Sequence, residues 1–188
     1  MASRLSIFAL SAAAVSSHRI IGDATQSLNS VDGATWSVSN GTSTVSASIP
    51  GDLITDLAQG GIVPKDPLYE LNFKGNAWDA CNWTYSTTFT LNADVSAAAS
   101  ISLVLDGIKM VSDLSLNGVY LGFTADQFLR YTFDLTSAVK RAGANTLTVT
   151  FPTGGDARNI EQRWASCSGG WCVRARPPTS SGRPPTPL

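Results

Sequence analysis

One histidine, His18, and three cysteines, Cys81, Cys167 and Cys172, are all that 188 residues offer to metal or redox chemistry. No Cys/His cluster has metal-ligand spacing, so no metal site is expected. A Ser/His/Asp triad would depend on His18, which falls at the edge of a suspected leader and reads as a linker residue. Charge is scarce too: 14% of residues are charged, and the formal net charge is -1. Such a chain has no field to draw nucleic acid or an anionic membrane. No stretch approaches the roughly 20 apolar residues of a membrane span. A phosphate-cradling glycine loop is missing as well, and no cofactor is expected. The odd cysteine count leaves one thiol unpaired in an oxidising compartment. Cys81 with Cys167 is one bridge the count allows, but spacing alone does not establish it.

What the chain does have is Ser, Thr, Gly and Val, a composition that favours strands over long helices. Its length suits one domain with a real core. The first residues, MASRLSIFALSAAAVSSH, carry a single charge at Arg4, an apolar stretch from Leu5 to Val15 and then small residues. This is the layout of a secretory signal peptide over residues 1–17, with a mitochondrial-type leader or a short buried helix as the rival readings. Residues 18–34 then read as a linker. Two sequons fit a secreted chain, at Asn40-Gly41-Thr42 and Asn82-Trp83-Thr84, so Asn40 and Asn82 are the candidate glycosylation sites. The expected destination is outside the cell or a lysosomal or vacuolar lumen.

The body reads as short strands. Trp36–Asn40 and Thr44–Ile49 flank an Asn-Gly turn, and Pro50-Gly51 stops their pairing. Asp52 to Gln59 suits one or two helical turns before Gly60-Gly61. Residues 62–73 read as a loop fixed by Pro64 and Pro67. From Trp83 to Leu91, Trp83, Tyr85, Thr87, Phe89 and Leu91 fall on one face and Thr84, Ser86, Thr88 and Thr90 on the other. Further strands are expected at 101–105, 112–116, 119–122, 128–135 and 145–151, with a helical turn over 136–141. Asn117-Gly118 tolerates the positive φ angles of a type I′ hairpin. Some eight short strands and almost no helix predict an all-β antiparallel sandwich or jelly roll over residues 35–171.

Several blocks follow one another in a telling order. They are Pro50-Gly51-Asp52-Leu53, Asp66-Pro67-Leu68-Tyr69 with Asn72, Trp83-Thr84-Tyr85, Asp106-Gly107-Ile108, the Asp113–Gly122 hairpin and Gly143-Ala-Asn-Thr-Leu147. The series resembles the galactose-binding-domain-like N-terminal jelly roll of β-mannosidases in glycoside hydrolase family 2. It covers roughly Trp36 to Trp171. The resemblance implies hydrolysis of terminal β-D-mannosides in glycans by a full-length member, with two glutamates from a following (β/α)₈ barrel. It implies as partners the β-mannoside-containing glycans and the catalytic domains of the same polypeptide. In that family the domain closes on a Gly-Trp-Asp-Trp-type motif whose acidic residue helps bind the sugar. Here Gly170-Trp171 is followed by Cys172-Val173, so the acidic contact is missing.

From Cys172 to Leu188 the tail holds five of the nine prolines, three arginines and no acidic residue, and it is expected to be disordered. A reading-frame or splice error, or a truncated copy, produces such a departure; a genuine proline-rich linker is the rival. Without a barrel, a pair of carboxylates at hydrolytic spacing would have to come from loop residues such as Asp126, Asp156 and Glu161. Several carboxylates of this chain instead sit at turns, where Asp bonds its own backbone. For sugar binding, Arg163, Trp164 and Trp171 are the candidates, in a loop after the last clear strand. Two functions follow. One is a non-catalytic N-terminal domain of a β-mannosidase-like enzyme, which should expose apolar surface for its partner domains. The other is a stand-alone carbohydrate-binding module, which should bury that surface.

Overall fold

A computed structural model describes residues 4–10, 24–66, 81–108 and 111–152, with side-chain detail from Ala24 onward. The described residues form two antiparallel sheets enclosing one core. The strands are β1 (Arg4–Leu10), β2 (Ala24–Ser27), β3 (Trp36–Ser39), β4 (Thr44–Ala47), β5 (Trp83–Phe89), β6 (Ser100–Asp106), β7 (Ser112–Leu116), β8 (Val119–Thr124), β9 (Arg130–Asp134) and β10 (Asn145–Phe151). Two short helices, α1 (Leu53–Gln59) and α2 (Ala93–Ala97), join them. The smaller sheet runs β2-β1-β6-β9 and the larger β4-β3-β5-β10-β7-β8. Ile101, Leu103 and Leu105 from β6 share the core with Leu114, Leu116, Leu147 and Val149 of the larger sheet.

Local sequence explains most of these elements. β5 alternates as expected, with Trp83, Tyr85, Thr87 and Phe89 buried. Thr87 is the polar member of that face, and its hydroxyl donates to the carbonyl of Thr35 at 2.7 Å. Trp83 is 3% exposed and belongs to the core. Asn117 and Gly118 take φ values of 53° and 81°, the type I′ geometry that joins β7 to β8. The turn after β9 is a single one, with the amides of Ala138 and Val139 both donating to Leu135 O. Helix α2 is absent from the sequence reading because five residues carry no helical period. It is capped by Asn92, whose side chain accepts from the Val95 amide.

The N-terminal region adds structure that the sequence reading does not include. The sequence reading sets residues 1–17 outside the fold, yet β1 lies there and pairs with β6 over its full length, Arg4↔Asp106 through Leu10↔Ser100. An apolar run suited to a leader is equally suited to a strand inside a sheet. Residues 18–34 are more than a linker: they contain β2, and Leu28 is 1% exposed. The carbonyl of Leu28 also accepts the indole N–H of Trp36 at 2.7 Å, which ties this segment to β3.

Candidate functional site

The register of the larger sheet collects one set of loops at one end. Ser39 pairs with both Thr44 and Thr84, Phe151 pairs with Trp83, Thr150 with Asp113, and Ser112 with Thr124. The Asn40–Ser43 turn, the entry to β5, the exit from β10, the entry to β7 and the exit from β8 therefore lie side by side. The chain leaves β10 for Arg163, Trp164 and Trp171 at this end. Those three, with Asp156, Glu161, Cys167 and Cys172, lie outside the described residues, as do Trp78 and most of the Asp66–Asn72 block.

Several carboxylates among the described residues serve the fold. Asp126 accepts from the Phe128 amide at 2.8 Å, and the hydroxyl of Tyr131 accepts from the amides of Ala125 and Asp126. Asp106 holds the Arg130 guanidinium through two contacts of 2.7 and 2.9 Å. Asp134 accepts from the Thr136 amide, and Asp52 caps α1 by accepting from the amide and hydroxyl of Thr55. This is the turn chemistry expected from the sequence. No group of three or more His, Cys, Asp or Glu among the described residues is arranged to hold a metal ion.

The two sequons come together. Asn40 is half-buried; its carbonyl accepts from the amides of Thr42 and Ser43, and its amide nitrogen donates to Cys81 Sγ at 3.6 Å. The nitrogen that a glycan would occupy is thus turned toward the thiol. Asn82, next to Cys81, is exposed.

One buried polar pair escaped the sequence reading. Asp56 on α1 is 1% exposed; its carboxylate accepts from the Ser48 amide at 3.1 Å and from the Tyr85 hydroxyl at 3.2 Å. Burial raises the Asp56 pKa, against the opposing pull of the Ser48 and Tyr85 hydrogen bonds. Burial and the neighbouring Asp56 together push the Tyr85 hydroxyl up as well. Tyr85 also meets Phe151 edge-to-face, with ring centroids 5.8 Å apart. Because the folded carboxyl keeps its proton to higher pH than the unfolded one, stability falls as pH rises from about 4 through the folded value. Asp56→Asn keeps both partners and should flatten that pH dependence in urea titrations between pH 4 and 7. Asp56→Ala leaves both partners unsatisfied and should cost about 3 kcal/mol. A wild-type slope shared by the Asn variant would show that another group controls it.

Residues 35–176 match the model of the family described as glycosyl hydrolase 2 galactose-binding domain-like. The chain belongs to that family. The β-mannosidase of Rattus norvegicus is 37% identical over 119 residues, which are 62% of this chain and 13% of the relative. β-Mannosidase A of Aspergillus aculeatus is 34% identical over 129 residues, 66% of this chain and again 13% of the relative. Among solved structures, the β-D-mannosidase of Dictyoglomus thermophilum superimposes with a TM-score of 0.58 at 25% identity, covering 69% of this chain and 16% of that one. The chain thus spans a small part of the relatives it matches. The family domain and the two-sheet fold agree with the jelly roll expected from the sequence.

Proposed function

We propose that this chain is the N-terminal domain of a β-mannosidase-type glycoside hydrolase, and that a longer polypeptide carries out hydrolysis of terminal β-D-mannosides. The observation that carries this reading is identity of 34–37% to β-mannosidases of a mammal and a fungus, confined to 13% of their length. Retaining hydrolysis needs two carboxylates about 5–5.5 Å apart. Asp126 and Asp134 serve turns, Asp52 caps α1, Asp106 pairs with Arg130 and Asp56 is buried against Tyr85, so this chain alone is expected to be inactive. Val119 and Tyr120 at the start of β8 and Phe128 in the loop after it are 51%, 60% and 71% exposed. Arg163, Trp164 and Trp171 remain the proposed sugar-side residues, carried by the chain after β10. The proposed location is outside the cell or a lysosomal or vacuolar lumen, and no helix among the described residues is long and apolar enough to cross a membrane.

The test is to sequence the transcript through the codons for Gly170 to Leu188 and assay the product it encodes. A longer product should hydrolyse p-nitrophenyl β-D-mannoside at least about 100-fold better than the corresponding galactoside or glucuronide, the size of discrimination a built sugar site provides. The 188-residue chain alone should show no turnover. A longer product that prefers another glycoside, or a transcript that ends after Leu188, overturns the proposal.

A further inference from the structure

We infer that the outer face of the larger sheet carries a platform for an extended, neutral glycan chain, centred on Tyr120, Asp113 and Phe123. It lies apart from the segment of Arg163, Trp164 and Trp171, and it does not depend on the activity proposed above.

Strand pairing sets this face out in rows. Val38, Tyr85, Leu114 and Val149 point into the core, so their neighbours along each strand point outward. One row runs Ser46, Ser37, Ser86, Thr148, Ser115 and Tyr120 from β4 to β8. The next row carries hydroxyls from Thr44 to Thr150 and ends at Asp113 and Phe123. Neither row contains a lysine, an arginine or a glutamate. A β-bulge puts both rings on this face. Leu114 pairs with Gly122 and Ser115 with Tyr120, which leaves Leu121 as an extra residue in β8. Without that residue the alternation of a strand would send Tyr120 and Phe123, three positions apart, to opposite faces. Tyr120 is 60% exposed, and its hydroxyl donates to Asp113 Oδ1 at 3.3 Å. Beside them the hydroxyls bond one another across strands, Ser115 with Thr148 at 2.6 Å and Thr84 with Thr150 at 3.0 Å. Either oxygen of a pair can be the donor, so each pair can present a donor or an acceptor. Sugar hydroxyls have the same double character, and the C–H faces of a hexose stack on aromatic rings. Other occupants fit worse. An anionic ligand finds no cation on either row and meets Asp113. A protein partner disagrees with the composition, because serine is depleted at protein interfaces. Flatness sets the length of the ligand. Single small molecules are held in concave sites that bury most of their surface. A sheet face covers one side of its ligand, so several sugar residues must lie across the strands.

The experiment titrates mannohexaose, cellohexaose, free mannose and polygalacturonate into the 188-residue chain by isothermal titration calorimetry. At least one hexaose should bind at least about tenfold tighter than mannose, because only a chain of sugars gains enough contact on a flat face. Polygalacturonate should not bind. Tyr120→Ala should weaken the hexaose at least about tenfold, the loss expected of an aromatic anchor. Tyr120→Phe, which keeps the ring, should retain most of the affinity. Both variants should unfold in urea at the wild-type midpoint, because the side chain lies outside the core. Several outcomes overturn the inference. They are no binding of either hexaose at millimolar concentration, a preference for polygalacturonate, and binding that survives Tyr120→Ala, which assigns the sugar to another part of the chain. A dimer in sedimentation that Tyr120→Ala abolishes assigns the face to a second copy and overturns it too. So does binding by the 188-residue chain that the longer polypeptide lacks, which assigns the face to a neighbouring domain. Glycan capture by a protein whose longer form does not cleave β-mannosides leaves the platform standing and removes only the proposed activity.

Discussion

Gly51→Ala should lower stability by about 3 kcal/mol, at the upper end of the cost of overpacking, and lower Tm by roughly 10 °C for a chain of this size. A Cβ at Gly51 would overlap the carbonyl oxygen of Ser48 and sit 3.1 Å from its carbonyl carbon. Those are backbone atoms, and Ser48 cannot retreat. Its amide donates to Asp56, while the next residue, Ile49, donates its amide to Ser30 Oγ and accepts at its carbonyl from the Ser30 amide at 2.6 Å. The Pro-Gly-Asp block therefore sets a glycine at a close backbone crossing and an aspartate that starts α1. Asp52→Ala, which removes only the cap, should cost about 1 kcal/mol. Urea unfolding followed by the fluorescence of buried Trp36 and Trp83 measures both. A Gly51→Ala variant within 1 kcal/mol of wild type would mean that the backbone yields at Ser48 after all.

Asn145→Ala should cost about 3 kcal/mol, from a side chain with no solvent exposure and three polar partners. Its carbonyl accepts from the Lys140 amide at 2.7 Å and from Asn117 Nδ2 at 2.8 Å, and its nitrogen donates to Lys140 O at 2.9 Å. Asn117 extends the network, donating to Ala138 O and accepting from the Thr146 amide. Two asparagines thus lock the β7–β8 turn, the turn after β9 and the start of β10 into one corner. A double-mutant cycle with Asn117→Ala should show coupling of at least about 1 kcal/mol, since both variants break the same bond. Strict additivity would reduce the corner to two independent local turns.

These two sites show how far the sequence could be read. Alternation along β5 and the Asn-Gly turn between β7 and β8 were legible because a period of two and a positive φ are properties of a few adjacent residues. The resemblance to β-mannosidases was legible for a different reason: several short blocks kept their order along the chain. What those blocks do was not legible. The Asn of Gly-Ala-Asn-Thr-Leu contacts residues five and 28 positions away, and the second of these spacings has no local signature. Asp56 looked like one more exposed acid in DLITDLAQ, and only the approach of β5 turns it into a buried partner of Tyr85. The candidate sugar residues Arg163, Trp164 and Trp171 were named from composition, while the structure supplies the end of the sandwich from which their segment departs.

Composition and periodicity were enough for an all-β chain of short antiparallel strands, because side-chain alternation and residue inventory are written locally. Tertiary structure decided which strands are neighbours. It made β6 an interior strand, brought Asn40 beside Cys81 and closed the Asn117–Asn145 corner. It also gave one apolar run, Arg4–Leu10, a place in a sheet that its leader-like sequence could not announce. Strand pairing couples residues tens of positions apart through backbone hydrogen bonds, and backbone groups are the same in every residue but proline.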